Sequence, residues 1–196
     1  MPRLLASPAY ATVAVWTRSP FGEKFSKLTA HTIDFDRLQE RSVEAEDVFC
    51  CLGTTIKVAG SQAAFRRVDY EYPVALARAA ARDGAKRLLV VSALGANANS
   101  RVFYNRVKGE MENSVRAAGV ARICFFRPSL LSGPRAEPRF GERAGLVLGT
   151  MLGPLLGRYR PIHADLVAAA MLKAALQDVP AQTFESAQIR AFAQSS

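Results

Sequence analysis

Histidine, cysteine and tryptophan are scarce in this sequence, which contains 2 His, 3 Cys and 1 Trp among 196 residues. Cys50, Cys51 and Cys124 fall in apolar runs that are typical of buried strands, no cysteines form a C-x-x-C pair, and the two histidines lie far apart. Zinc sites and disulfide frameworks need clusters of these residues. We therefore expect no metal site, no disulfide framework and a reducing, cytoplasmic location.

Long apolar runs and blocks of like charge are also missing. The most apolar stretch, residues 144–156, is interrupted by glycine and proline and is shorter than the ~20 residues that a membrane span needs. Met1 leads into no apolar segment of the signal-peptide kind. The formal net charge is +9, but no five or six like charges occur in a row. We expect no membrane span and no nucleic-acid partner, although a basic surface suits a phosphorylated ligand.

The chain does contain a regular alternation of short apolar runs with helical patterns, which is typical of βαβ units and a parallel sheet. With 49% hydrophobic and 22% charged residues, its composition and length indicate one globular domain over residues 1–196. The predicted strands are residues 11–16, 32–33, 48–52, 87–92, 122–127 and 182–184. The predicted helices are residues 61–83, 104–118 and 165–177.

The start of the sequence lacks a piece that a doubly wound sheet requires. Residues 3–5 resemble the last turn of a helix, yet no strand precedes them. No glycine occurs before Gly22, so the glycine-rich loop that would hold a pyrophosphate is absent. We predict an α/β, Rossmann-like, doubly wound parallel sheet that lacks its first strand and glycine-rich loop. The gap should lie between the strands that end at Trp16 and Leu52, and Met1 is expected to be a late start.

Ser92, Tyr104 and Lys108 are the candidate catalytic residues. Ser92 ends an apolar strand, and ligands bind beyond the carboxyl ends of parallel strands. Tyr104 and Lys108 are four residues apart on one predicted helix face. A cation so placed favours the phenolate of a tyrosine, whose pKa of ~10 otherwise makes it a poor acid/base at neutral pH. This set suits hydride transfer to or from a carbonyl. Tyrosine and lysine at this spacing also occur by chance, with the tyrosine covering a core.

Five strings in the sequence together resemble one protein family, the atypical short-chain dehydrogenases. The branch they are most similar to is that of the HIV Tat-interacting oxidoreductase-like proteins and their bacterial relatives. The likeness runs from about residue 3 to about residue 175. The strings are CCLGTT (50–55), FRRVDY (65–70), VVSALGA (90–96), YNRVKGE (104–110) and RPSLL (127–131).

The resemblance implies an NAD(P)-binding oxidoreductase with a role for each matched position. Ser92 would orient the substrate carbonyl, and Tyr104 would be the acid/base. Lys108 would lower the pKa of the tyrosine and hold the nicotinamide ribose. Asp69 lies near the place where ordinary short-chain dehydrogenases carry an asparagine, so the usual proton relay is in question.

The predicted cofactor-binding residues follow strand ends or matched strings. Arg18 follows the first strand with no acidic neighbour, and its guanidinium suits the 2′-phosphate of NADP more than the free ribose of NAD. Gly53 follows another strand and would permit close approach of a cofactor, although a plain turn also explains it. The predicted set is Arg18, Asp34, Phe35, Leu52, Gly53, Thr54, Thr55, Pro128, Ser129 and Leu130.

Two alternatives to a carbonyl or alcohol oxidoreductase stay open. Sugar-nucleotide epimerases and dehydratases use the same three residue types, but the twelve-residue spacing of Ser92 and Tyr104 is short for them. A non-catalytic module that senses NADPH and contacts a protein partner is the alternative from another functional class.

Residues 132–160 are expected to form much of the substrate pocket, and Asp165 is expected to cap the last predicted helix.

Overall fold

The computed structural model describes residues 1–133 and 159–195. Most of the predicted substrate-pocket segment, residues 132–160, therefore lies outside the described residues. In chain order the elements are α1 (Pro2–Ala6), β1 (Val13–Thr17), β2 (Leu28–Thr32), a 3-10 helix (Phe35–Glu40), β3 (Asp47–Cys50), α2 (Ile56–Ala59), α3 (Gln62–Arg66), a π-helical turn (Arg67–Glu71), α4 (Tyr72–Arg82), β4 (Arg87–Val91), α5 (Phe103–Arg116), β5 (Arg122–Arg127), β6 (Leu131–Ser132), β7 (Ile162–His163), α6 (Ala164–Leu176), β8 (Gln182–Glu185) and α7 (Ser186–Gln194).

The main sheet has four strands in the order β3-β4-β5-β8, and all its pairs are parallel. β1 and β2 form a second parallel pair, and β6 and β7 form a third. Helices connect the strands of the main sheet, as parallel strands require. The predicted α/β, Rossmann-like fold with parallel sheets is confirmed.

The predicted gap would lie between β1 and β3. Among the described residues, β1 pairs only with β2, and β3 pairs only with β4. The segment before β1 nevertheless contacts the main sheet, because the Tyr10 hydroxyl donates to Asp47 Oδ2 over 2.6 Å. The Tyr10 ring also lies edge-on to Phe49, with centroids 6.3 Å apart.

Both faces of the main sheet are buried, which explains the continuous apolar run of β4. Leu88 and Val90 pack into the core formed with α4 and α5, whereas Leu89 packs into the core formed with α6 and α7. Successive side chains of a strand point to opposite faces, so one five-residue strand serves two cores. Because β3, β4 and β5 are parallel, their carboxyl ends lie along one edge of the main sheet.

Several element boundaries differ from the prediction. β2 spans Leu28–Thr32 where residues 32–33 were expected, and the predicted helix over residues 61–83 is divided by the π-helical turn Arg67–Glu71. The 3-10 helix, α2 and α7 were not predicted, since each is short or lacks a long apolar period. Within the described parts of the chain, no helix is long and apolar enough to cross a membrane.

The predicted cap of α6 is wrong. His163 is the N-cap residue, and its Nδ1 accepts from the Asp165 backbone N–H over 3.2 Å. Asp165 lies in the first turn and pairs with Arg3 of α1 at 2.6 Å. The carboxylate therefore binds a neighbouring helix instead of the end of its own helix.

Candidate functional site

A buried ion pair joins Lys108 on α5 to Asp69 in the π-helical turn. Lys108 Nζ lies 2.7 Å from Asp69 Oδ1, and the two side chains are 4% and 1% exposed. Asp69 Oδ2 accepts from the Thr54 backbone N–H over 2.8 Å. One carboxylate thus ties three segments together: α5, the π-helical turn and the loop that follows β3. Insertions of this helical type are rare and often occur at functional sites.

Gly53 lies against this ion pair. A Cβ atom at this position would be 3.3 Å from Asp69 Oδ1 and 3.8 Å from Lys108 Nζ. Asp69 Oδ1 accepts no well-aligned hydrogen bond, so the charge of Lys108 is what compensates its burial. A side chain at position 53 would press on the pair, which accounts for glycine there.

Tyr104 lies one helical turn before Lys108, as its four-residue spacing requires. It is partly buried, and its ring centroid is 5.3 Å from that of Phe65. Burial raises the pKa of the Tyr104 phenol above its ordinary value of 10, Lys108 opposes this rise, and Asp69 adds to it. Burial is the largest of these causes, so the net direction of the shift is upward, and the activation of Tyr104 by the lysine stays a prediction.

Ser92 makes its side-chain hydrogen bond with a different partner. Its Oγ donates to Glu112 Oε1 over 2.6 Å, and both residues are buried. Arg127 grips the same carboxylate with two bonds, from Nε over 2.8 Å and from Nη2 over 2.7 Å. Glu112 lies eight residues after Tyr104 on α5, a helical rise of about 12 Å. The role predicted for Ser92 at a substrate carbonyl stays a prediction.

Glu112 is the buried carboxylate of a wider charged cluster at the ends of β4, β5 and β8. Arg127 also donates to Glu185 over 2.9 Å, and Arg116 approaches Glu112 at 3.3 Å. The hydrogen bond to Glu112 and, to a lesser extent, that to Glu185 raise the pKa of the Arg127 guanidinium. Sequence reasoning missed this cluster. The signal was the regular spacing of Tyr104, Lys108 and Glu112, four residues apart on one helix.

A cavity of about 320 Å³ opens beside this cluster, lined by residues 96–99 and by side chains of α5 and β5 that include Arg116 and Arg127. Gly109 allows the loop to pack closely on α5. A Cβ atom there would lie 2.6 Å from Asn97 Cα and closer still to the Ala98 nitrogen. Glycine at position 109 is therefore a requirement of packing.

Three predicted cofactor residues follow β1 and β2. Arg18 is exposed directly after β1. The Asp34 side chain accepts from the Asp36 backbone N–H over 3.0 Å and caps the 3-10 helix. Phe35 is buried, and its ring centroid lies 5.6 Å from that of Tyr72. Asp34 and Phe35 thus have structural contacts of their own, while Arg18 projects from the end of its strand.

The other predicted cofactor residues follow β3 and β5, at the same edge of the main sheet. Leu52 and Gly53 lie in the loop after β3, and Thr55 caps α2 by accepting from the Val58 N–H over 3.2 Å. The Pro128 carbonyl accepts from Leu94 N–H over 3.0 Å. After it, the Ser129 hydroxyl donates to the Arg160 carbonyl over 2.6 Å, and Leu130 is 43% exposed. The structure brings Gly53 and Thr54 to Lys108. It describes no contact that joins Arg18 or Asp34 to this pair.

Known proteins resemble this chain at the level of sequence. It is 37% identical over 123 residues to Protein HTATIP2 of Rattus norvegicus, a match that covers 61% of this chain and 50% of the rat protein. It is 32% identical over 170 residues to Protein FMP52, mitochondrial, of Candida albicans, covering 82% of this chain and 74% of the yeast protein. The chain belongs to the atypical short-chain dehydrogenase family of HTATIP2 and FMP52. It spans half the length of the rat HTATIP2 protein.

Solved structures that share the fold come from a wider group. MoeE5 in complex with UDP-glucose and NAD aligns with a TM-score of 0.65 at 15% identity, covering 88% of this chain and 67% of that one. The UDP-N-acetylglucosamine 4-epimerase from Bacillus cereus aligns with a TM-score of 0.63 at 13% identity, covering 87% and 67%. No protein-family model matches the chain. At such low sequence identity these structures show that this HTATIP2/FMP52 family member shares their fold, and they show nothing about its activity.

The expected cytoplasmic location is corrected by the sequence relatives. The FMP52 proteins of Candida albicans, Eremothecium gossypii, Coccidioides immitis and Aspergillus clavatus are all named as mitochondrial. The expectation that all three cysteines lie in buried strands is wrong for Cys51, which is exposed one residue after the end of β3, whereas Cys50 and Cys124 are buried. The scarcity of cysteine pointed to a reducing compartment, but cysteine usage does not distinguish the cytosol from other such compartments. These family members point away from a purely cytoplasmic location.

Proposed function

We propose that this member of the HTATIP2/FMP52 family is an NAD(P)-dependent oxidoreductase that transfers a hydride to or from a carbonyl or alcohol. The observation that carries the proposal is the placement of Tyr104 and Lys108 on adjacent turns of α5, with Lys108 held beside the loop after β3. Ligands of parallel α/β sheets bind at this edge. Tyr104 is the group that gives or takes the substrate proton.

The chain's own residues fit a nicotinamide cofactor at this edge. Gly53 lacks a side chain where the loop after β3 meets the Lys108 pair, and Arg18 is exposed after β1. Structures that share the fold were solved with NAD bound. When bound, the nicotinamide supplies or accepts the hydride. The residues proposed to hold it are Arg18, Asp34, Phe35, Leu52, Gly53, Thr54, Thr55, Pro128, Ser129 and Leu130. Lys108 would bind the ribose and Ser92 would orient the substrate carbonyl.

The cofactor proposed is NADP, because an exposed guanidinium can grip the 2′-phosphate that distinguishes NADP from NAD. Arg18→Ala should weaken NADPH binding about tenfold and leave NADH binding unchanged. Fluorescence titration of both nucleotides measures this, with Arg101→Ala, another exposed arginine, as the control. Equal losses for both nucleotides would contradict the assignment.

The acid/base role of Tyr104 is tested by turnover of NADPH with a panel of aldehydes and ketones. Tyr104→Phe should lower kcat at least about 100-fold, since it removes the transferable proton and keeps the ring. NADPH binding should persist in this variant. Tyr70→Phe is the matched control. It removes a hydroxyl that also contacts α5, since the Tyr70 hydroxyl lies 3.1 Å from Ser114 Oγ, but this hydroxyl has no proposed role in the reaction. Equal turnover by Tyr104→Phe and the wild type would refute the role.

A non-catalytic NADPH sensor that contacts a protein partner is the second candidate. The observation that favours it is the pairing of Lys108 with Asp69, which neutralises the cation expected to activate Tyr104. The raised pKa of Tyr104 agrees with it. Tight NADPH binding without any Tyr104-dependent turnover on the panel would favour this candidate over the oxidoreductase.

A further inference from the structure

Asp69 places a negative charge next to the lysine that α5 aligns with Tyr104. We propose that Asp69 is a positioning residue that holds the Lys108 ammonium in place and whose own negative charge offsets the lysine charge at the Tyr104 phenol. This inference deepens the proposed function and rests on it for its catalytic meaning. The ion pair itself is independent of any reaction.

Three contacts prevent Asp69 from turning away from the lysine. The Thr54 N–H donates to Oδ2 over 2.8 Å, Lys108 Nζ lies 2.7 Å from Oδ1, and Gly53 packs beside Oδ1. The Asp69 side chain is only 1% exposed, so bulk water cannot screen the pair. Lys108 is therefore held by a fixed anion.

Among the residues that the structure describes, Lys108 and Asp69 are the charges that shift the pKa of Tyr104, with opposite effects. The rings of Phe65 and Phe103, which pack nearby, carry no charge. Burial raises the pKa of the Cys50 thiol to about 12, so this neighbour of the pair is neutral in the physiological range. Other charged groups described nearby pair at the surface of α5, where Arg66 binds Glu110 and Arg106 Nε lies 4.0 Å from Glu110 Oε1. Removing the Asp69 charge alone should therefore change the state of Tyr104.

The test is an NMR titration of the full chain labelled with ¹³C at tyrosine Cζ, with the Tyr104 signal assigned by its loss in Tyr104→Phe. In Asp69→Asn the apparent pKa of Tyr104 should fall by about 1 relative to the wild type, because the lysine charge is no longer offset. The pKa of Tyr72, which is raised to about 12 by burial and Asp36, is the internal control and should not move. A Tyr104 pKa that is unchanged or higher in Asp69→Asn overturns the proposal.

A second pair of variants keeps the test valid if Asp69→Asn fails to fold. Lys108→Met should raise the Tyr104 pKa, and Asp69→Asn/Lys108→Met, which buries two neutral side chains of similar size, should bring it down again. Equal Tyr104 pKa values in these two variants overturn the proposal in the same way.

Turnover separates this inference from the proposed function. If the enzyme is active, alcohol oxidation by Asp69→Asn at a pH below the Tyr104 pKa should rise about tenfold, because the phenolate fraction rises by that factor. The pH profile should shift to lower pH by the change seen in the NMR titration. A shifted Tyr104 pKa with no turnover in any variant refutes the oxidoreductase and leaves the role of Asp69 intact. An unshifted pKa in an active enzyme refutes the role of Asp69 alone.

Discussion

Two glutamates on α5 show how differently one residue type behaves at neighbouring positions. Glu112 is 1% exposed and is bound by Ser92 and Arg127, whereas the Glu110 side chain is 31% exposed and pairs with Arg66 at the surface. Breaking a buried pair leaves charges without compensation, while an exposed pair is replaced by water. In the sequence the two residues look alike.

The substitution Glu112→Gln should therefore lower the free energy of unfolding by about 3 kcal/mol, because Arg127 loses its buried counter-charge. Glu110→Gln, two residues earlier on the same helix, should cost about 0–1 kcal/mol. Urea denaturation at pH 7, followed by circular dichroism, measures both. Similar losses for the two variants would show that the buried cluster adds no stability of its own.

At the scale of elements, the end of α4 is fixed by a side chain that reaches an earlier segment of the chain. Asp83, the C-cap residue, accepts from the Val43 backbone N–H over 2.7 Å and pairs with Arg82 at 2.8 Å. Arg82 also donates to the Gln39 and Arg41 carbonyls over 2.7 Å each. The helix end thereby anchors the connection between the 3-10 helix and β3.

This anchor predicts a pH dependence of stability. The hydrogen bonds from Arg82 and from Val43 N–H lower the pKa of Asp83 to about 2, below the value of ~3.9 expected in the unfolded chain. The unfolded state then binds the proton more readily, so the contribution is complete above pH ~4 and is lost as the pH falls towards 2. Urea denaturation of wild type and Asp83→Asn across this range should show their stability difference shrinking with acid. A difference that is constant with pH would contradict it.

For the whole molecule, the separation of the sheets is the defining feature. β1 and β2 are mostly exposed or half-buried, whereas the inner residues of β4 and β5 are buried on both faces. The free energy of local unfolding is lower where few apolar contacts are buried and where backbone hydrogen bonds are exposed to solvent. The β1–β2 pair should thus be the less stable part of the sheet structure.

Amide hydrogen exchange measures this difference directly. We expect the amides of β1 and β2 to exchange at least about tenfold faster than those of β4 and β5. The exchange of β4 and β5 should follow global unfolding in urea, which serves as the reference. Equal protection of the two sheets would mean that β1 and β2 belong to the same cooperative unit as the main sheet.

The sequence by itself determined the α/β class, the parallel sheet and the family. Continuous apolar runs such as β4 can be buried only between two helical layers, and the strings around Gly53 and Tyr104 are specific. The location inferred from cysteine was wrong because cysteine scarcity does not identify one compartment.

Tertiary structure alone decided the partners of the charged residues. The pairing of Lys108 with Asp69 joins residues that are distant in sequence, and so does that of Ser92 with Glu112. The π-helical turn that carries Asp69 has no periodic pattern of apolar residues from which the sequence could have predicted it. Ion pairs and hydrogen bonds depend on distances of a few ångströms and on burial, which only the packing of α5 against the sheet sets. For that reason the sequence placed Tyr104 near a cation, and the structure revealed the anion that neutralises it.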